Sequence, residues 1–189
     1  MEYFEMRRLG RTVISIINKT FPIESKLLGA EIGVYRGDTS AGMLRTFPEL
    51  KLNMVDPYDM NIQDRYCRPR NQATQDARMD EALTVTEFAA DRRKMWRIPS
   101  MEALDLFSDG IFDFVFVDAN HEYEYVKDDM KWWKKIKPGG LFLGDNYDGW
   151  IERVWEGRKW GVKLAVDEFA TANDLEVRTH RCEVWSIQK

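Results

Sequence analysis

The sequence predicts an α/β protein built on a mostly parallel sheet, and three observations predict it. Apolar stretches of strand length alternate with stretches of helical period, the pattern of βαβ units. The strand candidates are continuous apolar runs. Six of the seven residues from Ile111 to Val117 (IFDFVFV) are apolar, as parallel strands covered by helices on both faces must be. The chain has 189 residues, 44% hydrophobic and 13% aromatic, which suits a single domain, 1–189, with a sizeable core.

The elements follow in order. Residues 2–19 read as an amphipathic helix through the stripe Phe4, Leu9, Val13, Ile16 and Ile17, inside an N-terminal unit at 1–25. Residues 26–33 (KLLGAEIG) are a short buried strand ending in a glycine turn, with a helix at 38–47 after it. Residues 51–55 (KLNMV) are a second strand, ended by Asp56-Pro57. Residues 57–80 are polar and without clear period. A helix is expected at 73–91, a third strand at 94–98, a short helix at 101–107 and a fourth strand at 112–117. Residues 122–136 read as a helix with Val126, Met130 and Trp133 on one face. Pro138-Gly139-Gly140 stops it and leads to a strand at 140–144. A helix at 162–172 and strands at 174–179 and 182–188 close the chain. The short connection at 180–181 predicts that the last two strands are antiparallel.

Composition excludes several classes. The net charge is −4 with 32% charged residues, and no basic block points to nucleic acid. Mean hydropathy is −0.51, and no apolar run approaches the roughly 20 residues that cross a bilayer. The broken, charged N-terminus does not read as a signal peptide. The two cysteines, Cys67 and Cys182, are far apart and form no CxxC; they read as reduced thiols of a cytoplasmic protein.

In open sheets of this kind ligands bind beyond the carboxyl ends of the strands, where strand order switches. The first such turn, AEIGVYRGDTS at 30–40, carries Glu31, Gly33, Tyr35 and Gly37. Glycines let backbone turn and approach a ligand closely, and the helix behind them offers free amides. The dinucleotide pattern G-x-G-x-x-G is absent: Tyr35 stands where the middle glycine would be. That argues for a ligand without a pyrophosphate. Two glycines in an ordinary strand–helix turn, with Asp38 as N-cap, is the other reading. Asp56 ends the second strand, where an acid can accept both hydroxyls of a ribose; an Asp-Pro turn is its plain alternative.

Taken together these residues resemble the class I S-adenosylmethionine-dependent methyltransferases, closest to the small-molecule O-methyltransferases of the macrocin and catechol type. The resemblance rests on E-x-G-x-x-x-G-x-[ST] after the first strand, Asp56 after the second, Ser100-Met101-Glu102-Ala103 after the third, and above all FDFVFVDANHEY…KPGGLFLGDNY at 112–147. It covers roughly 26–188. It implies a Rossmann-like fold: a seven-stranded sheet of order 3-2-1-4-5-7-6 with the last strand antiparallel and helices on both faces. It further implies S-adenosylmethionine held by Glu31, Gly33, Tyr35, Gly37, Asp56, Ser100, Met101 and Asp118. Glu31 would lie beneath the methionine moiety, Asp56 would hold the ribose, and Ser100 and Met101 would line the adenine pocket. Residues 57–92 match no pattern of the family.

The strands at 112–117 and 140–144 should be parallel neighbours about 4.8 Å apart. Asp118 then meets Asp145 and Asn146 at the mouth of the site, and two close carboxylates repel unless a cation or proton intervenes. Hard oxygen ligands suit Mg²⁺, then Ca²⁺ or Mn²⁺, and the resembled enzymes hold Mg²⁺ at these positions. The alternative is that Asp118 and Asp145 cap turns. His121 starts a helix, whose dipole disfavours a cationic imidazole. In the resembled enzymes this position carries the general base; a locally bonded helix-start histidine is the plainer role. Asn120 is expected as the N-cap of that helix.

The function expected is metal-assisted O-methylation of a small-molecule hydroxyl, with neither nucleic acid nor membrane as partner and a homodimer among the assemblies allowed. Residues 57–92 and 147–163 follow strand ends and could cover the acceptor with Tyr58, Tyr66, Arg65, Arg68, Arg70 and Arg78, and with Tyr147, Trp150, Trp155, Trp160 and Arg153; packing for the tryptophans and solvated positions for the arginines are the stronger reading of each. A metal-independent N- or O-methyltransferase, a nicotinamide oxidoreductase and a nucleotide-binding protein without chemistry are the rival readings.

Overall fold

The computed structural model describes residues 8–61, 71–147, 154–155, 158–159 and 161–189. The expected contributions of Phe4, Arg65, Tyr66, Cys67, Arg68, Arg70, Trp150, Arg153 and Trp160, and of the Trp155 side chain, lie outside it. Helix α1 (Arg8–Thr20) buries Val13, Ile16 and Ile17 of the expected stripe, and Ile14 besides, with Leu9 packed partly buried against the same core. Strand β1 (Leu28–Ile32), helix α2 (Asp38–Thr46), strand β2 (Lys51–Val55), helix α3 (Gln72–Val85), strand β3 (Arg93–Trp96) and helix α4 (Ser100–Leu104) follow. Then come strand β4 (Phe112–Val117), helix α5 (Tyr123–Asp129) and strand β5 (Ile136–Gly144). A two-residue hairpin, β6 (Val154–Trp155) and β7 (Arg158–Lys159), precedes helix α6 (Val162–Ala172), strand β8 (Arg178–Thr179) and strand β9 (Trp185–Gln188).

The main sheet has seven strands in the order β3-β2-β1-β4-β5-β9-β8. Leaving out the small hairpin, that is 3-2-1-4-5-7-6. β1 pairs parallel with β2 and β4, β2 with β3, and β4 with β5; β9 runs antiparallel to β5 and β8. Side chains alternate between two cores, as strands covered on both faces require. Phe114, Phe116, Leu141 and Leu143 join α1 and α2 on one face. Phe112, Val115, Val117 and Phe142 join α5 and α6 on the other. The strand order reverses between β1 and β4, so the crevice opens above their carboxyl ends.

Several boundaries differ from expectation for local reasons. The helix expected at 73–91 ends at Val85. The Thr86 hydroxyl donates to the Ala82 carbonyl at 2.6 Å, a side-chain bond that competes with helical continuation, and only a 3-10 turn, Glu87–Ala89, follows. The helix expected at 122–136 is α5 and then a 3-10 stretch, Met130–Lys135. The Pro-Gly-Gly run does not precede β5 but lies inside it. β4 advances from Phe112 to Phe114 while β5 advances from Ile136 to Leu141, a bulge that Gly139, at φ 81, accommodates. The expected strand at 174–179 shrinks to Arg178–Thr179, both exposed, because Asp174 turns at φ 54 and Leu175 is still tied to the Ala170 carbonyl.

Candidate active site

A cleft of about 240 Å³ opens at the switch point and is lined by Gly33, Tyr35, Asp56, Ser100, Met101 and Asp118 among others. Six of the eight residues expected to hold a cofactor thus meet in one cavity. The two others stand behind it. Glu31 is buried in β1, where the Ser40 hydroxyl donates to it. Burial pushes its carboxyl up to about 8, with the charges of Asp118, Asp56 and Asp38 adding and the Ser40 bond opposing. Gly37 adopts φ 80 as the residue before α2, in the place expected for Asp38 as N-cap; a Cβ there would lie 2.9 Å from the Ala82 Cα. Its work is to let α3 approach. Gly33, at φ 88, has a similar duty: a Cβ would lie 2.1 Å from the Asp118 carbonyl oxygen. It joins the ends of β1 and β4.

Asp56 binds its own scaffold. One carboxylate oxygen accepts from the Val34 and Tyr35 amides, both at 3.0 Å, and the other from the Tyr58 amide at 2.9 Å. Burial raises its pKa while these amides lower it. Of roughly four acceptor positions on a carboxylate, three are taken. Tyr35 holds φ 55, with the Arg78 guanidinium 4.7 Å from its ring centre.

The acids at the ends of β4 and β5 converge as the strand pairing requires. Val117 pairs with Gly144, so Asp118 and Asp145 leave the sheet side by side. Asp118, His121 and Asp145 bring one ligand atom each within 4.8 Å of the others, and His121 Nε2 lies 3.5 Å from Asp118 Oδ1. Burial pushes Asp145 up to about 7, and the facing charge of Asp118 adds to this. Asn146, at φ 60, turns its amide nitrogen to His121 Nε2 at 3.0 Å and to Asp145 Oδ2 at 3.1 Å. That nitrogen only donates, so the imidazole accepts at Nε2. Ligation of a cation by Asn146 Oδ1 needs a half-turn of the amide. Asn120 is not the N-cap of α5, which is Glu122; its side chain accepts from the Glu122 amide at 2.9 Å, closing the turn before the helix.

The cleft also holds residues that sequence reasoning missed: Tyr125, Asp128 and Asp129 of α5. Asp129 is buried, and burial pushes its carboxyl up to about 7. Its signal was present, an acid at helical spacing from Val126 and beside Met130 on the apolar stripe. Two aromatics expected to cover the acceptor do structural work instead. Tyr58 is 1% exposed, its hydroxyl donating to the Tyr35 carbonyl. Tyr147 bonds Asp167 and receives a bond from Lys163, and its amide donates to the Glu183 carbonyl at 2.8 Å. At the far end of the same segment, the Gly161 amide donates to the His121 carbonyl at 3.0 Å, and a Cβ on Gly161 would meet the Tyr123 Cβ at 2.4 Å.

A sheet of this order, with a cleft at the β1–β4 switch point and an acid closing β2, defines a class I S-adenosylmethionine-dependent methyltransferase. The chain belongs to the methyltransferase domain family numbered 24, whose profile matches residues 30–147. Among curated proteins none matches it closely enough to count as a relative. Its fold is similar to that of several solved structures. One is a putative O-methyltransferase from Klebsiella pneumoniae, at 17% identity and TM-score 0.64, covering 100% of this chain and 82% of that one. Another is the O-methyltransferase of Bacillus cereus in complex with SAH, the demethylated cofactor, at 13% and 0.62, covering 100% and 84%. A third is the O-methyltransferase TomG of Streptomyces achromogenes, involved in tomaymycin synthesis and solved with S-adenosylmethionine, at 16% and 0.62, covering 96% and 79%.

Proposed function

We propose that the protein methylates a hydroxyl of a small molecule, using S-adenosylmethionine and a divalent cation, Mg²⁺ or else Mn²⁺ or Ca²⁺. The observation that carries this is the meeting of Asp118 and Asp145 beside the cleft, with Asp145 held well above the usual carboxylate range by burial and by its neighbour. Such a pair is costly without positive charge between its members, and its hard oxygens suit these ions. The cofactor supplies an electrophilic methyl group and the cation lowers the pKa of a bound hydroxyl.

The chain's own residues do the rest. Gly33, Tyr35, Asp56, Ser100, Met101 and Asp118 hold the cofactor, Asp56 through its one remaining acceptor position, and Glu31 and Gly37 support them from behind. Asp118 and Asp145 hold the cation, joined by Asn146 after its amide turns. That turn withdraws the donor from His121 Nε2, which then takes the acceptor's proton. The segments 57–92 and 147–163 cover the acceptor, and alignment supplies most of the rate. The far-apart cysteines, with Cys182 an exposed free thiol, support a cytoplasmic setting. No helix among the described residues is long and apolar enough to cross a membrane.

The test is methyl transfer to a panel of phenolic and sugar hydroxyls. EDTA should abolish it and Mg²⁺ or Mn²⁺ restore it, and His121→Ala should lower turnover about 10²–10⁴-fold with cofactor affinity unchanged. Undiminished turnover in EDTA would establish the metal-independent alternative.

A further inference from the structure

We propose that Asp129 reads the 6-amino group of the cofactor's adenine, so that the site selects adenosyl over inosyl compounds. The inference rests on the cleft being the cofactor site. The part of the cleft away from the glycine turn lies between the start of α4 and the face of α5. Pro99, Met101 and Tyr125 give it flat apolar walls of the kind a purine ring fills. Its polar side chains are Ser100, Asp128 and Asp129. Asp128 is half exposed and paired with Lys131 at 2.6 Å, so solvent and a cation already satisfy it. Asp129 is 3% exposed.

Its orientation is set by a directed chain. The Trp132 indole N–H donates to Ser100 Oγ at 2.8 Å. An indole nitrogen can only donate, so Ser100 turns its own hydroxyl hydrogen to Asp129 Oδ1. That leaves Oδ2 as the carboxylate's other acceptor for a group in the cleft. A carboxylate buried with one donor is under-satisfied, which is why burial holds its pKa at about 7; a further N–H at Oδ2 offsets the desolvation and favours the ionised form. The exocyclic amine of adenine is such a donor. The 6-oxo group of hypoxanthine presents an oxygen to the same place, and two acceptors facing each other in a buried site repel.

The bland alternative is that the Ser100–Asp129 bond merely ties α4 to α5. A tie of that kind makes no distinction between bases, and the experiment turns on that difference. Titration calorimetry on the full chain would compare S-adenosylhomocysteine with S-inosylhomocysteine. The two share ribose and homocysteine, so their affinity ratio isolates the base edge. The wild type should bind the adenosyl compound at least about tenfold more tightly. Asp129→Asn, which can turn an amide N–H toward a 6-oxo group, should narrow the ratio severalfold or reverse it. Near-equal affinities in the wild type, or an unchanged ratio in a folded Asp129→Asn, would overturn the assignment. If Asp129→Asn does not fold, Ser100→Ala serves: loss of the orienting hydroxyl should lower the ratio, and an unchanged ratio overturns the proposal. Failure of both compounds to bind the wild type would remove the cofactor reading itself, and this inference with it.

Discussion

Asp56 and Asp145 both follow central strands, both are half-buried and both have raised pKa values, yet they sit in opposite circumstances. Asp56 is surrounded by donors, three backbone amides from two loops. Asp145 faces another acid and a histidine. The first carboxylate is spent on holding the glycine turn to the end of β2, so that side of the cleft is fixed by the chain's own amides. Among the described residues, the second has donors from Asn146 alone to set against its own burial and the charge of Asp118. On the function proposed above, the difference separates a group that serves shape from one that serves chemistry.

The largest effect should come from breaking the seam on which both halves depend. Gly33→Ala places a Cβ against the Asp118 carbonyl and asks alanine for a left-handed backbone. It should cost about 3 kcal/mol or more, lowering Tm by roughly 6–12 °C in a thermal melt. A smaller pair of effects should separate the two acids. Asp56→Ala orphans three amides and should lower stability by about 2–3 kcal/mol and cofactor affinity at least tenfold. Asp145→Ala should leave metal-free stability nearly unchanged, since it relieves Asp118, while Mn²⁺ affinity falls by about two orders of magnitude. Equal stability losses in the two variants would dissolve the distinction.

The last effect is a slope with pH. The Glu31 carboxyl titrates at about 8 in the folded chain against 4.5 in its ordinary state, so the folded form binds the proton more tightly. Stability contributed by the protonated acid is present below the lower value and is lost as pH rises toward the upper one. Glu31→Gln, which keeps a hydrogen-bond partner for Ser40, should flatten that decline. Urea midpoints between pH 5 and 8 measure it, and a slope unchanged from wild type would show that Glu31 is not its source.

The convergence of Asp118, His121 and Asp145 was legible because it follows from one inference, that the strands at 112–117 and 140–144 are parallel neighbours. Everything at their ends then falls together. The position of Asp56 was legible on the same logic. The duty of the glycines was not: spacing marks Gly33 and Gly37 as turn residues, but only the approach of Asp118 and of Ala82 shows that they make room for protein. Asp129 was missed because an acid on an apolar helical stripe acquires meaning only when a cavity is found against it. The orientation of the Asn146 amide was hidden as well, since it depends on contacts made across the β4–β5 boundary. The strand expected at 174–179 was overdrawn because at the sheet edge only Arg178 and Thr179 find a partner, in β9.

The segment between Tyr147 and Gly161 begins and ends on anchored posts. Tyr147 is moored to α6 and to the Glu183 carbonyl, and Gly161 to the backbone of His121. A stretch held at both ends can be exchanged like a cartridge. Doubling its length would add only about 0.6 kcal/mol of closure entropy, and neither post would have to move. The sequence of that piece can then change while the posts and the sheet behind them stay as they are.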